Sequence, residues 1–249
     1  MRLEVCCGSY EDALVAIQNG AHRIELNSAL YLGGLTPSYA TLLKVMQVAK
    51  QNHVSVIAMI RPRGAGFCYS KHEIEVMFED AKWFLEAGVD GLAFGFLTSE
   101  RLIDFSLTQK MCGLIHAYQK EAVFHRAFDC VDNLTLATKQ LINCGVDRIL
   151  TSGGQPTAPQ GVEVLAILQE QFGSQIEILP GCGINASNVQ VLIQQTKVHQ
   201  VHSSCKDYAC DETTSGTNVT YAYYSGTHQN DYECVSAKNV IDMIQALSK

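Results

Sequence analysis

The chain has 249 residues, 47% hydrophobic and 17% charged, with a formal net charge of −7. The length matches an eight-stranded α/β barrel, and the apolar share is enough to fill a large core. The acidic balance argues against an electrostatic nucleic-acid binder, and no apolar run of about 18 residues exists to suggest a membrane span.

Met1-Arg2-Leu3-Glu4-Val5 enters a strand pattern directly, with no apolar signal core. The expected compartment is therefore the cytoplasm. The first strand is expected over Leu3–Gly8, followed by a helix capped by Ser9 that stops near Gly20. The second strand is Arg23–Asn27, and Ser38 caps a helix reaching Asn52. The third strand is Val54–Arg61, with a helix from Ser70 to Ala87 stopped by Gly88. The fourth is Gly91–Leu97, with a helix over Asp104–Gln119, and the fifth is Ala122–Phe128, with a helix over Asp132–Cys144. The sixth is Arg148–Thr151, with a helix over Gly161–Phe172, and the seventh is Ile176–Leu179, with a short helix from Ser187. The eighth is Gln200–Ser204, and the last helix is Val235–Leu247.

Alternating strands and helices imply a parallel sheet with helical crossovers. Eight such units predict an α/β fold in which residues 1–249 form a single (β/α)8 TIM-type barrel. An open doubly wound sheet is the alternative, disfavoured because no Gly-x-Gly-x-x-Gly turn follows the first strand. The stretch 207–234, rich in Thr, Ser, Tyr, Gly and Asn, is expected as a long loop inserted before the last helix, either a lid or a mobile surface segment.

Side chains alternate in direction along a strand. Glu4 and Cys6 share one face, and Arg23, Glu25 and Asn27 share another that points into the barrel. His125 and Asp129 share parity, while Arg126 falls with the phenylalanines and is either structural or functional. Carboxylates inside a barrel need partners. Glu4, Glu25, His125 and Asp129 are thus candidate acid–base groups, with Arg61 and Arg63 as anion clamps. A closed salt-bridge network is the competing reading.

Glycine-rich turns follow two strands, Ser152-Gly153-Gly154 and Gly181-Cys182-Gly183, and Ser203 ends the eighth. Ser152, Gly153, Gly181, Gly183 and Ser203 are candidate anion contacts, because barrels bind phosphate with such loops; they serve equally as tight turns. The ten cysteines show no Cys-x-x-Cys spacing and are expected as free thiols, with Cys112, Cys130 and Cys144 filling core. Thiolate suits Cu(I), so Cys6 is a candidate metal ligand if Cys182, Cys205 or His202 joins it.

The motifs Glu4-Val5-Cys6, Arg23-Ile24-Glu25-Leu26, Gly33-Gly34-Leu35-Thr36-Pro37-Ser38, Ile60-Arg61-Pro62-Arg63-Gly64, Phe124-His125-Arg126-Ala127-Phe128-Asp129, Asp147-Arg148-Ile149-Leu150-Thr151-Ser152-Gly153-Gly154 and Asn185-Ala186-Ser187-Asn188 stand in order. Over residues 2–206 the sequence resembles the copper homeostasis protein CutC family. That resemblance implies a TIM-type barrel, a cytoplasmic homo-oligomer (dimer or tetramer) and a role in copper binding. It implies copper ligands ending strands one and two, which fall on Cys6 and on Asn27, where the family has a second cysteine. Two functions follow as expectations: a Cu(I)-handling protein, or a barrel enzyme acting on a small anionic, phosphorylated metabolite. A non-catalytic scaffold is the third.

Overall fold

The computed structural model describes residues 1–248. Strands β1 (Arg2–Cys7), β2 (Arg23–Leu26), β3 (Ser55–Met59), β4 (Gly91–Phe94), β5 (Glu121–Phe124), β6 (Arg148–Thr151), β7 (Glu177–Pro180) and β8 (Gln200–Ser203) alternate with helices. The crossovers are α1 (Tyr10–Gln18), α2 (Tyr39–Gln51), α3 (Lys71–Glu86), α4 (Phe105–Ala117), α5 (Leu134–Cys144), α6 (Val162–Phe172) and α7 (Val189–Thr196), and α8 (Ala237–Leu247) follows β8. The strands run parallel in the order β7-β6-β5-β4-β3-β2-β1-β8. Across the remaining seam Gln200 Nε2 donates to Glu177 Oε2 at 2.8 Å. This is the expected TIM barrel. Among the described residues no helix is long and apolar enough to cross a membrane.

Local chemistry explains the helix starts. The hydroxyls of Ser9, Ser38 and Ser70 each accept an orphan amide of the first turn, and Ser70 completes a capping box with Glu73. Side-chain alternation then divides the barrel. Leu3, Val5, Cys7, Ile24 and Leu26 face outward into the core beneath the helices. Ile57, Met59, Ala93 and Val123 form a separate apolar plug inside.

The rest of the interior is polar and paired. Glu4 holds the Arg23 guanidinium, whose Nη2 also donates to Gln200 Oε1 at 2.6 Å. Arg148 bridges Glu121 and Glu177 at 2.8 Å each. Two buried arginines thus have carboxylate partners, as charges taken out of water require.

Three expectations need correction. Strand five stops at Phe124, because His125 Nδ1 accepts the Ala127 N–H at 3.1 Å and starts a 3₁₀ turn over Arg126–Cys130. Strand parity therefore does not reach Asp129. Cys130 is exposed and is not core filler, whereas Cys112 and Cys144 are buried as expected. The stretch expected as a loop carries an antiparallel pair, β9 (Lys206–Cys210) and β10 (Asp231–Val235). Asp12 ties this arm to the barrel, accepting the Val235 N–H at 2.7 Å and the Gly8 N–H at 3.0 Å. The arm leans on the loop after β2, where Tyr223 stacks on Tyr31 with ring centroids 4.5 Å apart.

Candidate functional site

The C-terminal ends of the strands open into a cavity of about 1140 Å³. Its floor is polar. Cys6 from β1, Glu25 from β2 and His202 from β8 each present a donor atom, and these atoms lie within 4.8 Å of one another. Asn27 Nδ2 donates to Glu25 Oε2 at 3.0 Å and approaches Cys6 Sγ at 3.5 Å. Behind the cluster, His202 Nδ1 bonds Glu4 Oε1 at 2.7 Å, which leaves Nε2 as the ring nitrogen available to a ligand.

Electrostatics distinguishes these groups. Burial works to raise the Glu4 carboxyl, but Arg23 and His202 outweigh it and hold it far below the usual carboxylate range. Burial raises the Glu25 carboxyl, as does neighbouring Glu4, against the opposing pull of His202. Burial would lower His202, yet its bond to Glu4 and the charges of Glu25 and Glu4 raise it. Burial, then Glu25, pushes the Cys6 thiol well above its ordinary value. At neutral pH the Cys6 thiol on the floor is therefore protonated, and the Glu4 carboxylate behind it is ionised.

The opposite wall is built around His125. Its ring is buried against Phe67 and Phe124, at centroid distances of 5.0 and 6.1 Å. Burial and the nearby Arg61 charge lower it to about 3, so it is a neutral imidazole. Because Nδ1 accepts from Ala127, the ring proton is assigned to Nε2. Gly95 makes the seat: a Cβ there would lie 2.5 Å from His125 Cε1. Arg61 is buried, donating from Nη1 to the carbonyls of Leu32 at 2.9 Å and Gly34 at 3.0 Å, and from Nη2 to that of Ala65 at 2.8 Å.

Several expected site residues play other parts. Asp129 lines the cavity, but its oxygens accept from Arg126 Nε, Thr151 Oγ1, the Ser152 amide and hydroxyl, and the Gly154 amide. These bonds fix the loop after β6. Arg63 pairs with Glu73 and with loop carbonyls and does not line the cavity, so it does not clamp an anion beside Arg61. Ser152, Gly153 and Gly181 also fall outside the lining, and the amides of Gly153 and Gly181 are taken by Thr151. Gly183 and Ser203 do face the cavity, although the Ser203 hydroxyl already donates to Ile184 O at 2.7 Å. Arg126 lines the mouth and is ion-paired to Asp129. Glu4 lies behind the floor rather than on it.

Sequence reasoning missed Gly95 and Phe67. Gly95 sits just beyond β4, so a glycine where the strand leaves the barrel was the available signal for a close neighbour. Nothing local marked Phe67, whose contact with His125 spans two separate loops.

A family model described as the CutC family matches residues 1–207. The family protein CutC of Treponema denticola is 46% identical over 247 residues, covering 99% of this chain and 98% of that protein. The corresponding protein of Vibrio campbellii is 42% identical over 220 residues, covering 88% and 85%. A crystal structure of the copper homeostasis protein CutC from Streptococcus agalactiae superposes with a TM-score of 0.77 at 31% identity, covering 82% of this chain and 98% of that one. Thiamine phosphate pyrophosphorylase of Pyrococcus furiosus, with a TM-score of 0.60 at 13% identity, covers 99% of this chain and 95% of its own and shares the fold alone.

Proposed function

The chain belongs to the CutC family, and from that premise we propose that it binds copper as cargo, seated on Cys6, Glu25 and His202. The observation that carries this reading is the convergence of one sulfur, one carboxylate oxygen and one imidazole nitrogen within 4.8 Å. Thiolate and imidazole suit copper, and the Glu4–His202 bond supplies the carboxylate that orients a metal-binding histidine from behind. Asn27 stands where the resemblance puts a second cysteine. It braces Cys6 and Glu25, so the donor set here is mixed rather than all-sulfur. Ten free cysteines fit a reducing, cytoplasmic setting. The homo-oligomeric state belongs to the same reading.

Anaerobic Cu(I) titration against a competing chelator tests it. The background should be a variant lacking the exposed thiols Cys68, Cys130 and Cys210. One equivalent should bind, and Cys6→Ser and His202→Gln should each lose it. Uptake that survives both substitutions would show that copper sits elsewhere.

The cavity itself favours a second reading, a barrel enzyme acting on a small anionic metabolite. About 1140 Å³ far exceeds the needs of one ion. Glu25 and His202 would be its proton-moving groups, since both are ionisable and line that space. Turnover of a metabolite panel, abolished by Glu25→Gln, would support it; inactivity across the panel would count against it.

A further inference from the structure

The two walls of the cavity differ in one respect. Among the described residues, three buried polar atoms without any hydrogen-bond partner belong to cavity-lining side chains: Arg61 Nε, His125 Nε2 and Asn27 Oδ1. Two of them are donors. Arg61 is also the buried arginine without a carboxylate: Arg23 and Arg148 face Glu4, Glu121 and Glu177, whereas the Nη groups of Arg61 donate to backbone carbonyls. A cation left in this state beside an orphaned N–H is costly, and a bound anion would relieve both defects.

Phe67 links the two donors. Its ring lies 5.0 Å from the His125 ring and 5.0 Å from Arg61 Cζ, so it covers them both. We infer that Arg61 Nε and His125 Nε2 form a subsite behind Phe67 for the carboxylate of a small organic acid. The acid occupies the cavity, and the Phe67 ring turns aside to admit its carboxylate. Charge selects the class. His125 is neutral, so the wall offers a single positive charge, which matches a carboxylate monoanion. The two Nη groups of Arg61 are already committed, so the guanidinium has no bidentate fork left for a phosphate. His125 acts here as a fixed donor, not as a general base. The inference rests on the small-molecule reading of the cavity and does not require copper to be bound.

The test uses the full, metal-free chain with ¹⁵N-labelled histidine, titrated separately with pyruvate, lactate and inorganic phosphate. A saturable shift of the His125 Nε2–H resonance with at least one of the acids, and none with phosphate, is the expected result. His125→Asn keeps an acceptor for the Ala127 N–H, but its shorter amide cannot place an N–H at the Nε2 position, and it should weaken the acid by roughly ten-fold or more while the circular dichroism of the folded barrel is retained. Phe67→Ala should bind at least as tightly as the natural chain. A resonance that no acid moves overturns the assignment, and so does one moved by phosphate alone. The readout is binding: a chain without turnover leaves the subsite standing, and turnover with a silent His125 removes only the subsite.

Discussion

Gly95→Ala is the sharpest probe of how the mouth is assembled. Its φ needs no special freedom, so the effect is purely steric. The new methyl would sit 2.5 Å from His125 Cε1, 2.7 Å from Nδ1 and 2.9 Å from Ala127 Cβ. The imidazole cannot retreat easily, since Phe67 and Phe124 pack against it. Overpacking of this kind costs about 1–3 kcal/mol. Displacing the ring also breaks the Nδ1 bond to Ala127, worth about 1 kcal/mol. The sum, about 2–4 kcal/mol, should lower Tm by roughly 5–15 °C for a chain of this size. Calorimetry and urea denaturation give the loss, and the histidine NMR spectrum shows whether the His125 Nε2–H signal has moved. An alanine variant with unchanged Tm and an unmoved signal would refute the claim that Gly95 shapes the seat of His125.

Four further outcomes are expected. Glu4→Gln leaves Arg23 without its buried carboxylate and should cost about 3–5 kcal/mol by urea denaturation, with Glu4→Gln/Arg23→Met recovering part of the loss. The His125 imidazole is lowered from 6.5 to about 3, so between those values the unfolded chain binds the extra proton. Its contribution to stability is therefore present above that window and lost as pH falls through it; His125→Asn should flatten the fall in urea midpoint between neutral pH and pH about 4. Copper loading must displace the proton of Cys6, so affinity should rise with pH, and a pH-independent affinity would place the ion on other ligands. Asp12→Ala removes the acceptor for Val235 and Gly8 and should accelerate amide exchange along β10, read by hydrogen exchange, before the barrel strands respond.

The inward set of β1 and β2 was legible because strand alternation holds there without interruption. Glu4 meets Arg23, and Cys6 meets Glu25, as parity requires. The same reasoning failed at Asp129, since a histidine that accepts a backbone N–H ends the strand at Phe124 and the counting ran on through a turn. Arg61 and Arg63 looked like a pair because they are two residues apart. They diverge because Arg61 is held by the carbonyls of residues 32, 34 and 65, while Arg63 turns to Glu73. The arm escaped notice for a different reason: β9 and β10 are largely solvated on both faces, so there is no alternation of apolar and polar residues to read.

The two candidate seats in the mouth are joined by one residue. Asn27 donates to Glu25 and Cys6 on the metal side, and its Oδ1 points to Gly34, where an added Cβ would lie 2.4 Å away. The Gly34 carbonyl in turn accepts from Arg61 on the carboxylate side. A metal that takes Cys6 and Glu25 from Asn27 changes the bonding at one end of this chain of contacts, and an acid that draws on Arg61 changes it at the other. The two ligands should therefore alter each other's affinity, and by the same factor in both directions, as linkage demands. Asn27→Ala should reduce that factor while leaving each ligand its own donors. Titrating each ligand in the presence and absence of the other, in the natural chain and in Asn27→Ala, measures the coupling. Equal coupling in both chains would show that Asn27 does not carry it.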